Sequence, residues 1–446
     1  MREIKRKPIA LYVHIPFCVK KCDYCDFLSA PASEQEKKDY VNLLCREIEK
    51  EAACYPDYRA TTVFFGGGTP TVLRPEQLEK ILCKLKKHFF VDDAQRKAEI
   101  TLECNPGTVT EEDLKKLREA GFNRLSIGLQ SAQNAELRRL GRIHTWEDFL
   151  KTWEFARKAG FGNINVDLMS ALPGQRMKSY VNSLERVTAL HPEHISAYSL
   201  IIEEGTLFYE RYGEADARRR AEGADRRHLL PTEEEERRMY ELTQEILEKN
   251  GYRRYEISNY ALPGYECRHN ITYWKRGDYL GFGLGAASLM ENCRFAKPDN
   301  LRDYRKLLQR DLKETESRED QADRENKADR KDQRDQDEEA ATEKRQEIII
   351  TTEEKKETSD RTLHQDFQEL TRQEQMEEFM FLGLRLTAGI SRREFQEYFL
   401  TPIENIYGAE LKKLKEEGLL ICSEDRVYLT KRGIDVSNIV FEEFLL

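Results

Sequence analysis

Three cysteines crowd into eight residues near the N-terminus, Cys18-Val-Lys-Lys-Cys22-Asp-Tyr-Cys25. Thiolates at offsets 0, 4 and 7 on one loop can wrap an iron–sulfur cubane, whose irons prefer sulfur donors. Only three ligands are local, so one iron of a [4Fe–4S] cluster would stay open to a substrate or cofactor. Three unrelated core cysteines are not expected at this density. The sharper rival is a Cys3His zinc site completed by His14. His14, however, ends the strand that runs straight into the loop.

A second run, Gly66-Gly67-Gly68-Thr69-Pro70, follows the apolar segment Val63-Phe64-Phe65. Consecutive glycines after a parallel strand let backbone groups approach a ligand closely, although tight turns use glycine too. Position gives the run its weight. The cysteine loop, the glycines, Glu103, Gln130 and Asp167 all fall at or just after the ends of successive predicted strands. In a βα barrel, that face carries the active site.

The elements that must position these residues are legible in the periodicity. Strands are predicted over Ile9–His14, Thr62–Phe65, Glu99–Cys104, Arg124–Gly128, Asn163–Asp167 and His194–Ser199, separated by helices such as Glu111–Ala120 and Trp146–Ala159. Thr110 with Asp113, and Thr145 with Asp148, stand where a capping box belongs, and Gly121 and Gly160 fall just past helix ends. REAGFNRLSIG (118–128) and RKAGFGNINVD (157–167) repeat one grammar of helix end, Ala-Gly-Phe, Asn and strand. LEKNGYRRYEIS (247–258) is a looser copy. Repeated βα units imply a parallel sheet, and six in succession curve into a partial barrel. The expected organisation is a partial (βα)6 barrel over 1–210, an α/β extension over 211–310, a charged low-complexity insertion over 311–365 and a C-terminal helical domain over 366–446. In the last, EEFMFLGLRL, a helix capped by Ser391, IYGAELKKLKEEG and the strands Leu419–Cys422 and Arg426–Leu429 read as a winged-helix-like module. Its candidate recognition helix carries as many acids as bases, which favours a protein contact or lid over nucleic acid.

Composition narrows the class. Of 446 residues 35% are charged, and the net charge of -9 argues against a nucleic-acid partner, whose phosphates need clustered Lys and Arg. Much of the charge sits in 313–347, which holds no apolar residue except Ala and so has nothing to bury. A shorter charged stretch spans 214–228. No signal peptide and no 18-residue apolar run is evident, so the chain is expected to be cytoplasmic with no transmembrane segment. Its ten cysteines form no disulfide framework; Cys45 and Cys83, in helical patterns, are expected to be buried.

With these motifs in view the chain resembles the radical SAM superfamily, whose open cluster iron binds S-adenosylmethionine (SAM). LYVHIPFCVKKCDYCDF, TLECNPG, RLSIGLQS, LGRIH and NVDLMSALPG resemble the branch holding the oxygen-independent coproporphyrinogen III dehydrogenases and the haem chaperones. The resemblance implies that Tyr12 and Tyr24 flank the cluster and SAM, and that Gly67, Gly68 and Thr69 hold SAM's amino-acid end. It implies that Glu103 contacts bound SAM and that Gln130, Arg142 and Asp167 complete the pocket. For Arg142 a solvated helix-end arginine is an even alternative. The dehydrogenase pattern has a fourth cysteine where Phe27 stands here, and a longer N-terminal extension than the 17 residues preceding Cys18.

The string Cys267-Arg268-His269-Asn270-Ile271-Thr272-Tyr273-Trp274 resembles the HNxxYW signature of the haem chaperones. His269 can serve as an axial iron ligand, Asn270 can hydrogen-bond it, and Tyr273 and Trp274 offer flat faces to a macrocycle. Cys267 is the minority ligand. The expectation is therefore a haem chaperone carrying a [4Fe–4S] cluster and SAM, which passes haem to acceptor proteins, including membrane-associated ones. Coproporphyrinogen dehydrogenation is the alternative. GFGLGAAS (281–288) receives no role.

Overall fold

The computed structural model describes residues 6–93, 96–213, 229–313 and 363–445. The charged stretches at 214–228 and 314–347 lie outside them. Six strands alternate with helices through the first half of the chain: β1 (Lys7–Ile15), β2 (Tyr58–Gly67), β3 (Glu99–Cys104), β4 (Arg124–Gln130), β5 (Ile164–Ser170) and β6 (His194–Ser199). All neighbouring pairs are parallel and lie side by side in chain order, as short right-handed βα units dictate. All seven residues of β4 are buried, the pattern of a strand covered on both faces. Both predicted capping boxes form, and Gly121 closes its helix at φ +116.

The sheet is wider than the six-unit reading. Twelve strands form one open sheet that runs on beyond the barrel at both edges. Beyond β6 lie β8 (Asn259–Ala261) and β7 (Arg253–Arg254), both antiparallel. The sequence echo at 247–258 therefore ends in a two-residue edge strand and not in another parallel unit, because β8 takes the place beside β6. At the opposite edge β9 (Tyr279–Phe282) enters parallel to β1 as a seventh parallel strand. Antiparallel β10 (Ala287–Met290), β11 (Cys293–Ala296) and β12 (Gln365–Glu369) follow. GFGLGAAS makes the turn between β9 and β10, with Gly283 at φ +91 where a Cβ would meet the Tyr40 hydroxyl at 2.3 Å.

The first helix, α1 (Glu34–Cys54), starts on a Ser33–Glu36 capping box and returns the chain after the cysteine loop. Residues from Met376 to Phe444 enclose a separate apolar core. There helices Arg372–Gly383, Arg392–Phe399 and Glu404–Glu416 carry a hairpin of Leu420–Cys422 and Arg426–Leu429, joined by a third strand at Ile390–Ser391. Two short helices, Lys431–Asp435 and Ser437–Glu442, follow without a sequence-based expectation. Cys45 is buried as expected, but Cys83 is exposed on the solvent side of helix Pro75–Phe89. No helix among the described residues is long and apolar enough to cross a membrane.

Candidate functional site

The cysteine loop leaves β1 and is pinned at its base by Cys18 N–H donating to Ala30 O (3.1 Å) and Ala30 N–H donating to Pro16 O (3.1 Å). Cys18, Cys22 and Cys25 are free, half-buried thiols that open into one cavity of about 400 Å³. Burial raises the Cys25 thiol pKa. Cys18 Sγ lies 3.5 Å from Thr69 Oγ1, and Arg142 Nη1 donates to Cys22 Sγ at 3.5 Å. His14 does not join them. Its Nε2 faces Leu28 O at 2.9 Å and its Nδ1 the Tyr12 hydroxyl at 3.2 Å. Among the described residues no three Cys, His, Asp or Glu side chains converge closely enough to hold one ion. The three thiols line one cavity, and a set of three thiolate donors fits a [4Fe–4S] cluster with one iron left open.

The glycine run packs directly on this loop. Gly68 N–H donates to Ile15 O at 2.9 Å and Thr69 N–H to Phe17 O at 2.7 Å. A Cβ on Gly67, at φ +107, would lie 2.5 Å from the His14 ring, and one on Gly68 would lie 2.6 Å from Phe17 O. Glycine here is a packing necessity. Below it Glu103 is half-buried and lines the same cavity. Burial first, then the nearby Asp167 charge, pushes its carboxyl up to about 8. Burial also raises Asp167, although Asn165 Nδ2 donates to it at 2.7 Å.

Gln130 sits at a bulge between β4 and β5 with φ +73, and accepts from the Tyr198 hydroxyl at 3.1 Å. Strained backbone of this kind gathers at binding sites. Arg142 reaches back across the cavity to Asn105 Oδ1 (2.8 Å) and to Gly128 O. The solvated reading of Arg142 is therefore set aside. Tyr24 lines the cavity, whereas Tyr12 stands behind its wall with its ring 6.3 Å from Phe64.

The HNxxYW string forms a short helix, Arg268–Trp274, against the opposite, N-terminal ends of the strands. Glu99, the first residue of β3, accepts from Arg268 N–H (3.1 Å) and His269 N–H (3.0 Å). Asn270 reaches the cavity from below. His269 is 1% exposed, with Nδ1 2.8 Å from Thr62 Oγ1 and Nε2 2.9 Å from the Tyr273 hydroxyl. Burial, and secondarily Arg124, lowers its pKa to about 3, so the ring is neutral. Neither ring nitrogen faces open space as an axial ligand must. Cys267 is equally enclosed: its Sγ meets Glu99 at 3.6 Å, and burial pushes the thiol up to about 12. Tyr273 stands edge-on to Tyr279 at 4.7 Å, and the Arg385 guanidinium covers Trp274 at 4.3 Å.

Several residues of the cavity were missed by motif reasoning. Asn105 bridges Thr69 (2.6 Å) and Arg142, and Tyr198 orients Gln130. Both follow or end a strand on the rim, the same signal that marked Glu103 and Gln130. Ser126, Asn165 and Ser196 line the interior by alternation along β4, β5 and β6. Arg124, 1% exposed at the cavity floor, leaves its Nε without a hydrogen-bond partner. An arginine opening a strand gives no such sign in sequence.

Comparison with known proteins agrees with this geometry. Residues 12–187 match the radical SAM superfamily and 370–436 the HemN C-terminal domain. The heme chaperone HemW of Lactococcus lactis subsp. lactis is 34% identical over 443 residues, covering 99% of this chain and 98% of the relative. That of Bacillus subtilis is 35% identical over 434 residues, covering 97% and 98%. Among solved structures, coproporphyrinogen III oxidase (HemN) from Escherichia coli aligns with a TM-score of 0.73 at 22% identity, over 100% of this chain and 91% of that one. At that identity the likeness shows a shared fold.

Proposed function

The chain belongs to the HemW family of haem chaperones within the radical SAM superfamily, and from that premise we propose that it binds haem and hands it to acceptor proteins in the cytoplasm. In this reading Cys18, Cys22 and Cys25 hold a [4Fe–4S] cluster and the cavity beneath them holds SAM. One observation carries the cofactor assignment. Three free thiols from one loop open into the same cavity as Gly67, Gly68, Thr69, Glu103, Gln130, Arg142 and Asp167. When bound, such a cluster supplies an iron open to SAM and an electron for its cleavage. The protein's own residues do the rest. The glycine backbone and Thr69 offer close approach to a zwitterion, Glu103 and Asp167 offer carboxyls to a sulfonium, and Arg142 offers a cation beside Cys22. Phe27, at the position of the dehydrogenase's fourth cysteine, weighs against porphyrinogen oxidation.

Anaerobically reconstituted protein should be brown with about four irons per chain, and Cys18→Ala, Cys22→Ala and Cys25→Ala should each lose that iron. Zinc as the stoichiometric metal, or iron kept by the triple variant, would remove the cluster assignment. The same preparation should bind haem at about one per chain and form no protoporphyrinogen from coproporphyrinogen with SAM and reductant. Measurable product would restore the dehydrogenase.

A further inference from the structure

The C-terminal domain covers the aromatic end of the motif helix Arg268–Trp274. Arg385 stacks on Trp274 at 4.3 Å and faces Glu256 Oε2 at 3.9 Å. Just past the helix, Arg276 donates from Nε to Glu378 Oε2 at 2.9 Å and from Nη1 to the Tyr398 hydroxyl at 3.2 Å. Arg294 grips the other oxygen of Glu378. Thr387 N–H donates across the same seam to Tyr255 O at 3.0 Å. The apolar core of the domain, from Met376 to Phe444, stays separate from that of the barrel among the described residues. Four polar atoms sealed at the seam have no hydrogen-bond partner there: Trp274 Nε1, Arg276 Nη2, Arg385 Nε and Glu256 Oε2. Parting the seam hydrates all four and bares neither core, so this interface is built to open.

Tyr273 ties the motif to the seam. Its hydroxyl occupies His269 Nε2 at 2.9 Å, and its ring stands edge-on to Tyr279 at 4.7 Å. Register aligns Tyr279, Leu289 and Arg294 across β9, β10 and β11. The row that backs Tyr273 therefore ends at the arginine holding Glu378. We propose that the C-terminal domain is a latch over the motif helix. Release of Glu378 and Arg385 uncovers the Trp274 face and lets Tyr273 turn away from His269, which admits haem to the motif. The latch rests on the haem-chaperone reading. Shut, it keeps His269 engaged on both nitrogens; open, it frees Nε2 for iron.

Full-length, cluster-loaded protein is mixed with haemin in stopped flow, with iron and sulfide content checked for every variant. Hydrogen exchange at the Thr387 amide, which donates across the seam, reports opening without haem. Glu378→Gln and Arg385→Ala should each quicken that exchange and raise the haem association rate about tenfold, because binding scales with the fraction of open molecules. His269→Gln should leave the exchange unchanged and weaken haem binding. Unchanged exchange in both seam variants would show that these contacts do not hold the domain shut. Faster exchange with wild-type haem kinetics would show a domain that moves without gating the motif. Weaker haem binding in the seam variants would make the domain part of the haem site. Each of these overturns the latch and leaves the chaperone reading standing, whereas wild type that binds no haem removes both.

Discussion

At Glu103 the barrel keeps a proton on a carboxyl that solvent would ionise. Its ordinary value is 4.5, and burial with Asp167 pushes it up to about 8. The folded state therefore holds a proton that the unfolded chain gives up. The stability this contributes is complete below the ordinary value and is lost as pH rises through the folded one. Melting temperature of the cofactor-free protein should fall between pH 5 and 9 more steeply in wild type than in Glu103→Gln. A sulfonium ligand prefers the ionised carboxylate, so SAM affinity should rise with pH across the same window. Calorimetric titration of cluster-loaded protein would show it, and a flat profile, or the same slope in Glu103→Gln, would assign the proton elsewhere. Sequence marked Glu103 as a strand-end acid on the rim. Its protonation depends on the depth of the site and on Asp167 from another strand, neither of which has a local signature.

Among the elements, the helix Arg268–Trp274 differs most from its sequence reading. The string was legible as a motif, but its orientation was not, because the groups that claim His269 come from β2 and from one helical turn onward. His269→Ala would strand the Thr62 and Tyr273 hydroxyls inside the core, at about 1–3 kcal/mol each. A drop in melting temperature of several degrees should follow, with cluster content kept, and Tyr273→Phe should lose less. Unchanged stability in His269→Ala would mean that the ring is not the core member described. The central strands and their helices were readable because buried parallel strands are apolar runs and their helices carry strong caps; Glu99–Cys104, His194–Ser199 and Glu111–Ala120 match residue for residue. The edge strands were not, since two to five residues such as Arg253–Arg254 give no periodicity to detect. Cys83 shows the same limit on a helix, where one residue's rotation about the axis decides between core and solvent.

For the whole molecule, the twelve-stranded sheet makes one body of strands drawn from both sides of the 314–362 stretch. The described chain reaches that stretch with Asp311 paired to Lys50 at 2.9 Å, and resumes with His364 paired to Glu51 at 2.7 Å. Deleting residues 314–347 should leave melting temperature and cluster content nearly unchanged, since that composition buries nothing. A large loss of soluble protein would show that the stretch packs on the barrel. The two anchors are consecutive residues of α1, and Glu51 also pairs with the fully buried Lys297, which meets Glu47 as well. Departure and return at a single helical turn mean that the intervening length scarcely enters the folding equilibrium, because closure entropy grows only with its logarithm. The 314–362 stretch anchored at Lys50–Glu51 is thus a port, where a reporter domain could be spliced into the chain without the cofactor cavity sensing its size.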